Sequence, residues 1–506
     1  MSDVVVVGAG PVGLLLALLL GRRGWQVEVL ERHRNPYDLP RAVHLDHESA
    51  RILQNAGVMH DLAARTEVMD SYLWRNGAGE PLLWLDGGAP PTASGWPASL
   101  MFFQPDLERL LNEAIDAQAG VTVHRGVEVD EVVGQNGTGR ARVAAHTIDG
   151  RAVSPEAQWV IGCDGAASRV RELAGLAQTD LGYRHTWLVA DVRPAAPAPW
   201  SPLNVQVCDP TRPTTAVSGG PGRRRFEFLR LPDDPPDGVE LVWDLLAPWG
   251  LTRDNAFLER HASYTFGSAV VNEWRRGRVL VAGDAAHQMP PFAGQGLCAG
   301  IRDAANLAWK LDLVLAGEAP AGLLDTYGSE RAPQVQAELD FSVELGRILC
   351  VLDPDEAAAR DEALRALGAA GPQPLPDRPP PGPGCWHDGD PHAGAVGLQA
   401  VVVAGGRRLL LDDLTGGGWA LLGTSDDTTG LPDEPARWWV SIGGGSHSIG
   451  PGGTLGDPDG AYRRWFDSLG ADSVIVRPDG YLYGAAAGPS GGADLAAALR
   501  RHLRAL

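Results

Sequence analysis

Lysine is almost absent from this chain. Among 43 Lys and Arg residues in a sequence of 506, Lys310 is the single lysine. A Schiff-base nucleophile or a phosphate-cradling P-loop needs a lysine in a defined setting. Lys310 stands in the apolar run Leu307-Ala308-Trp309-Lys310-Leu311 without a glycine loop, which counts against both. Cysteine is sparse too. Cys163, Cys208, Cys298, Cys350 and Cys385 are scattered with no C-x-x-C pair, a pattern that argues against a secreted disulfide framework and against structural zinc. Basic excess is missing: 43 cations face 63 Asp and Glu, a formal net charge of −20, so neither nucleic acid nor an anionic membrane is an expected partner. Long apolar runs are missing as well, residues 12–20 being far short of a membrane span, and the start lacks a signal peptide's basic region. A cytoplasmic protein of several domains is expected.

Glycine (64) and proline (39) are plentiful, and their densest stretch is GPQPLPDRPPPGPG at 371–384. Repeated prolines forbid helix there, so an extended linker and a domain boundary are predicted. Before it, 355–370 has the Ala/Glu/Arg composition of a helix. After it, 398–403, 408–411, 419–422 and 438–442 read as strands and 494–506 as a helix, a separate α/β unit. In the first 370 residues strand and helix alternate, and 187–243 has the β-branched alternation of an antiparallel sheet.

The first chemical motif is Val4-Val5-Val6-Val7-Gly8-Ala9-Gly10-Pro11-Val12-Gly13, a buried strand running into G-x-G-x-x-G and an apolar helix. Gly8 permits the tight turn, Gly10 lets a pyrophosphate approach the helix N-terminus, and Gly13 lets helix and strand pack closely. The next strand ends at Glu31, where a carboxylate can accept from a ribose diol. This predicts a dinucleotide site and leaves NAD and FAD open. The second motif is RVLVAGDAAH (278–287) followed by PPFAGQG (290–296): a strand ending in Gly283-Asp284 offers a carboxylate to sugar hydroxyls. The loop then leads into a helix whose N-terminal N–H groups stabilise an anion. A third piece, VIGCDGAASRVR (160–171), is again strand, Asp-Gly turn and basic helix start.

These three motifs in this order resemble the FAD-dependent aromatic hydroxylases, the single-component flavoprotein monooxygenases of the p-hydroxybenzoate hydroxylase fold, over about the first 350 residues. PRAVHLDHESARILQ (40–54), CDPTRP (208–213), RRRFEFLRLP (223–232) and GQGLCAGIRDAANLAWKL (294–311) look like the branch containing 3-(3-hydroxyphenyl)propionate hydroxylase, phenol hydroxylase and aromatic polyketide hydroxylases. The resemblance implies an α/β fold with an α+β lid. A Rossmann-like FAD-binding domain (1–180 and 265–350, with 70–105 on the substrate side) would carry an inserted antiparallel-sheet substrate domain (181–264). A helix and linker (351–384) and a thioredoxin-like C-terminal domain without C-x-x-C (385–506) would follow. It implies bound FAD, NAD(P)H as transient co-substrate, O2, and hydroxylation of a phenolic substrate through a flavin C4a-hydroperoxide, ortho to an existing hydroxyl. The alternative is a tailoring oxygenase acting on a polycyclic aromatic natural product. A homodimer fits the family.

The resemblance also assigns residues. For FAD these are Gly8, Gly10, Pro11, Val12, Gly13, Glu31, Arg32, Arg41 near the diphosphate, Gln104 beside the ribityl chain, Asp164, Gly165, Arg171, Gly283, Asp284, and the loop Pro291, Gly294, Gly296, Leu297 and Cys298. The last of these stands where many relatives have asparagine. Ser168 and Arg171 belong to the Asp-Gly fingerprint linked to FAD and nicotinamide; the alternative is that Arg169 and Arg171 form a solvated helix face. For the base that takes the phenolic proton, His44 and Asp46 are candidates on one strand face and His47 on the other, and Pro291 is the catalytic-loop proline. Arg212, Arg224 and Arg225 either hold a substrate carboxylate or solubilise a strand edge. Trp187, Trp243 and Trp249 either line an aromatic pocket or pack a core. No metal site is expected, and His287 is read as a local packing or hydrogen-bonding residue.

Overall fold

The computed structural model describes residues 2–36, 39–87, 92–134, 139–196, 202–376 and 378–506. Its nucleus is the strand Val4–Val7, four valines buried on both faces. Such an uninterrupted apolar strand is what the middle of a helix-covered parallel sheet requires. The six-stranded sheet runs in the order Arg275–Arg276, Val279–Val281, Trp159–Gly162, Val4–Val7, Val27–Glu31, Val121–Arg125. All neighbours in it are parallel except the first pair. Two helices, Pro11–Arg22 and Gly296–Leu315, pack together. Gly300 makes their close approach possible, since a Cβ there would lie 2.6 Å from Val12 Cγ2.

A nine-stranded sheet forms the second layer. Its long central pair, Gln178–Pro194 and Ala256–Val271, is antiparallel. Strands Arg224–Leu229, Thr214–Ser218, Asn204–Cys208, Ser71–Asn76 and Pro81–Asp86 extend it to one side. The sheet thus begins before residue 181, ends after 264, and recruits the predicted contribution from 70–105. One face is covered by the helix Val239–Leu246 over Leu188, Ala190, Phe226 and Phe228. The other looks toward the dinucleotide-type domain: from it Arg225 and Arg260 reach the carbonyl of Pro40.

The proline-rich stretch is extended but not a free spacer. Gln373–Pro374 adds a short edge strand beside Pro81–Asp86, Gly382 N–H donates to Glu330 O at 2.8 Å, and Arg378 pairs with Asp46 at 2.8 Å and Glu48 at 2.7 Å.

In the C-terminal unit, strands Gly444–Ser448, Trp419–Gly423, Ser473–Val476 and Leu482–Ala486 lie in that order, the first two parallel and the others antiparallel. One expected strand is a helix: 438–442 falls mainly in Asp433–Ser441. Its apolar run mimicked a strand, yet Asp433 and Glu434 at the helix start and adjacent buried Trp438 and Trp439 favour helix docked on the sheet. At the seam with the main body, Lys310 is fully buried, paired with Glu330 at 3.0 Å, and Arg477 pairs with the same carboxylate at 2.8 Å. Desolvation pulls Lys310 down to about 8, and Arg477 and Lys310 hold Glu330 at about 2 against its burial. Among the described residues no helix is long and apolar enough to cross a membrane, and no His/Cys/Asp/Glu group has a metal-binding arrangement.

Candidate active site

The glycine loop divides into packing and access. Gly8 has φ +105, and a Cβ on it would meet Cys163 O at 2.3 Å; a Cβ on Gly13 would meet Gly8 O at 2.1 Å. At Gly10 the same atom would meet nothing within 4 Å. The helix that starts there has no side-chain cap, which leaves first-turn N–H groups for a ligand. Pro11 and Val12 begin this helix, half-buried. Glu31 accepts from Ala9 N–H and His33 N–H, each at 2.8 Å, and so braces the turn from the neighbouring strand, while Arg32 is exposed.

At the end of the strand Val279–Val281, Gly283 takes φ +63 and Asp284 follows it in the turn. Its side chain is exposed, yet protein surrounds it closely enough that desolvation pushes its pKa up, opposed by His287 and Arg41. The exposed Arg41 acts on this carboxyl from the 40–44 segment. Asp303 supports the turn from beneath, accepting from Gly283 N–H at 3.0 Å, His287 Nε2 at 2.6 Å and Arg331 Nε at 2.8 Å. His287 and Arg331 hold its carboxylate at about 2 despite burial. The sequence reading missed Asp303; its signal was a charged pair, Arg302-Asp303, inside an apolar helix.

Gln104 lies buried at a helix start, accepting from Ala42 N–H and donating to Glu108 at 2.6 Å each, so it steadies the segment that carries Arg41. Asp164 is spent locally, accepting from Ser168 Oγ at 2.5 Å and Val170 N–H at 3.0 Å beside Gly165 at φ +84. Arg171, expected to meet a dinucleotide, is instead buried and donates to Ala166 O and Ala285 O at 3.1 Å each, tying two turns together. Arg169 faces solvent and pairs with Glu172.

His44 Nδ1 lies 3.1 Å from Gly294 O. A carbonyl only accepts, so Nδ1 carries the proton and Nε2 is the free acceptor. Burial lowers the pKa of His44. Gly294, at φ +64, sits against the imidazole, where a Cβ would be 3.1 Å from Nδ1. Pro291, Gly294, Gly296 and Leu297 are half-buried along a loop ending at the uncapped N-terminus of Gly296–Leu315. The Cys298 thiol is buried, 3.7 Å from His44 O, and its pKa is raised by burial. Asp46 is not a base. It caps the helix His47–Asn55 through Ser49 N–H and pairs with Arg302 at 2.9 Å and Arg378 at 2.8 Å, which hold it far below the usual carboxylate range. His47 contacts Ser94 Oγ at 2.9 Å, away from His44.

The expected carboxylate clamp also changes. Arg225 is buried and bidentate with Asp191 at 2.7 and 3.0 Å, its other donors on Pro40 O and Arg41 O. Arg212 is bidentate with Asp234 at 2.6 Å, and Arg224 reaches Leu203 O and Ala216 O. These guanidiniums hold the protein together. Trp243 and Trp249 pack on the far face of the sheet, whereas Trp187 lies on the near face with its ring 5.5 Å from Phe292 of the loop.

Comparison with known proteins accords with this geometry. A family model described as FAD binding domain matches residues 1–342, and one described as HcaD C-terminal domain matches 394–502. A probable NADH-specific resorcinol 4-hydroxylase of Rhodococcus jostii is 40% identical, over 96% of this chain and 92% of that protein. A 3-(3-hydroxy-phenyl)propionate/3-hydroxycinnamic acid hydroxylase of Mycolicibacterium smegmatis is 34% identical, over 96% and 90%. Among solved structures, OxyS anhydrotetracycline hydroxylase from Streptomyces rimosus superposes with a TM-score of 0.76 at 28% identity, over 99% of this chain and 98% of its own. The flavin-dependent monooxygenase PieE reaches 0.82 at 23% identity over 99% of both chains, a likeness of fold. An open Gly10 turn, an exposed Asp284 and an uncapped loop helix fit an FAD, and this chain belongs to the FAD-binding-domain family, among the FAD-dependent aromatic hydroxylases.

Proposed function

We propose that the protein hydroxylates a single-ring phenol, ortho to an existing hydroxyl, with NADH as reductant. The observation that carries this reading is the near face of the large sheet, where Trp187, Tyr183 and Phe292 form an edge-to-face aromatic cluster against the 291–296 loop. The resorcinol and hydroxyphenylpropionate hydroxylases among the relatives are named for single-ring substrates, and the proposal follows them.

FAD, when bound and reduced, supplies the activated oxygen. The chain's own residues do the rest. Gly10 and the helix behind it receive the diphosphate, assisted by Arg41, and Glu31 and Asp284 take the sugar and ribityl hydroxyls. The uncapped N-terminus of Gly296–Leu315 offers N–H groups and a positive dipole end to the anionic ring. His44 fixes the loop through Gly294, and the aromatic cluster excludes water. For the C-terminal unit, the strand order and orientations given above support a thioredoxin-like reading. Thr424, Ser425, Asp426 and Asp427 follow its first strand, so no thiol chemistry is assigned to it.

Resorcinol and 3-(3-hydroxyphenyl)propionate, each tested for stimulated NADH oxidation with product identified by mass spectrometry, test the reading. Oxidation that no phenol accelerates would sink it.

A further inference from the structure

Strand register brings an unassigned carboxylate to the substrate side. On Arg224–Leu229, Arg225 and Leu229 face the FAD-binding domain, the first through Pro40 and Arg41 and the second in the cluster holding Phe292. Glu227 lies between them on the same face, because side chains alternate along a strand. Cross-strand partners agree: Glu227 stands opposite Val189 and Thr215, flanked by Trp187 opposite Leu229 and by Asp191 opposite Arg225. It is therefore aimed at the space between the 40–44 segment and the 291–296 loop.

Glu227 is also unoccupied. Its side chain is 9% exposed, and among the described residues no donor hydrogen-bonds it, the nearest cation being Arg225 Nη1 at 4.0 Å. A carboxylate this enclosed without a protein donor is unusual in a structural role. Neighbouring carboxylates are engaged: Asp191 by Arg225 and Arg260, Asp46 by Arg302, Arg378 and Ser49 N–H, and Glu48 by Arg378 and the Tyr481 hydroxyl. Next to it Gln206 Oε1 collects Tyr72 Oη at 3.1 Å and Thr215 Oγ1 at 3.0 Å, which leaves neither hydroxyl for Glu227. On the adjacent strand, the indole N–H of Trp187 lacks a hydrogen-bond partner among the described residues.

Resting on the function proposed above, we infer that Glu227 is the catalytic residue that accepts the proton of the substrate's phenolic hydroxyl. The O–H bond of the phenol breaks, its proton moves to a Glu227 oxygen, and phenolate and carboxylic acid result. The proton leaves to solvent as product is released. The groups facing Glu227 are Arg225, Asp191, Arg260 and Tyr72, with Arg41 and His44 on the segment opposite. Desolvation raises its pKa, partly offset by Arg225 and Arg260, which brings a carboxylate closer to the working range of a general base.

The test uses FAD-loaded enzyme with resorcinol and ring-fluorinated resorcinols, comparing wild type, Glu227→Gln and Glu227→Asp. In Glu227→Gln the hydroxylation step is expected to slow by roughly 10²–10⁴-fold, while FAD content and substrate affinity stay within about threefold. Rates in this variant should rise with substrate acidity, since a fluorinated phenol ionises without help, and the pH at which activity appears should move upward. Glu227→Asp, which keeps the charge, covers the case in which the glutamine protein does not fold and should retain an intermediate rate. Equal hydroxylation rates and pH profiles in wild type and variants overturn the assignment. Failure of wild type to hydroxylate any phenol overturns the proposed function, and this inference with it.

Discussion

Replacing Gly10 and Gly13 separately with alanine distinguishes ligand space from packing space in the same turn. At Gly10 the backbone is at φ −76, ψ 177, open to any residue, and the new methyl meets nothing within 4 Å. Alanine is a poorer helix cap than glycine but restricts the unfolded chain, two effects of up to about 1 kcal/mol that oppose each other. The apoprotein should therefore melt within about 2 °C of wild type. A pyrophosphate against this turn would lie where the methyl now stands. Loss of one charge-assisted hydrogen bond, about 1.5–3 kcal/mol, weakens FAD binding roughly 10- to 100-fold. At Gly13 the methyl would lie 2.1 Å from Gly8 O and 3.2 Å from Cys163 Cβ. Strand and helix must separate, an overpacking cost of about 1–3 kcal/mol that lowers the apoprotein melting temperature by several degrees. Thermal melting of apoprotein and FAD titration by fluorescence quenching measure both. Unchanged FAD affinity in Gly10→Ala would refute the placement of the diphosphate.

Two other substitutions probe the opposite wall. Asp284→Ala should lose FAD on gel filtration without destabilising the apoprotein at neutral pH. Its folded pKa is raised, so its charge opposes folding as pH rises through that value; an apoprotein clearly less stable would contradict this. For Asp303 the sign is reversed. Lowered from 3.8 to about 2, it contributes about 2 kcal/mol of stability present above pH 4 and lost as pH falls toward 2. Asp303→Asn should cost more, about 3–5 kcal/mol, because Arg331 is left buried without its partner. Denaturant unfolding at pH 7 and an acid titration measure the two.

The dinucleotide half of the site was legible because its logic is local: Gly8, Gly10, Gly13 and Glu31 sit on one strand-turn-helix-strand, where spacing determines geometry. The rest was written in pairs far apart in sequence. Asp46 has the sequence setting of a base, yet Arg302 and Arg378 neutralise it, and no periodicity announces partners that distant. Arg212 and Arg225 were misread for the same reason, since a guanidinium looks available until its carboxylate folds onto it. Trp243 was assigned to a sheet that had already turned into a helix. Glu227 did leave a trace, as a charge at the inward position of the alternation in Arg225-Phe226-Glu227-Phe228-Leu229, but its meaning needed the neighbouring strands.

The lone lysine offers the experimenter a built-in clock. With its side chain fully buried at the seam and ion-paired with Glu330, Lys310 is shut off from an acylating reagent until the seam opens. No other lysine competes for the label. The rate at which a bulky amine reagent marks Lys310 in native protein would then count how often the C-terminal unit lifts from the main body.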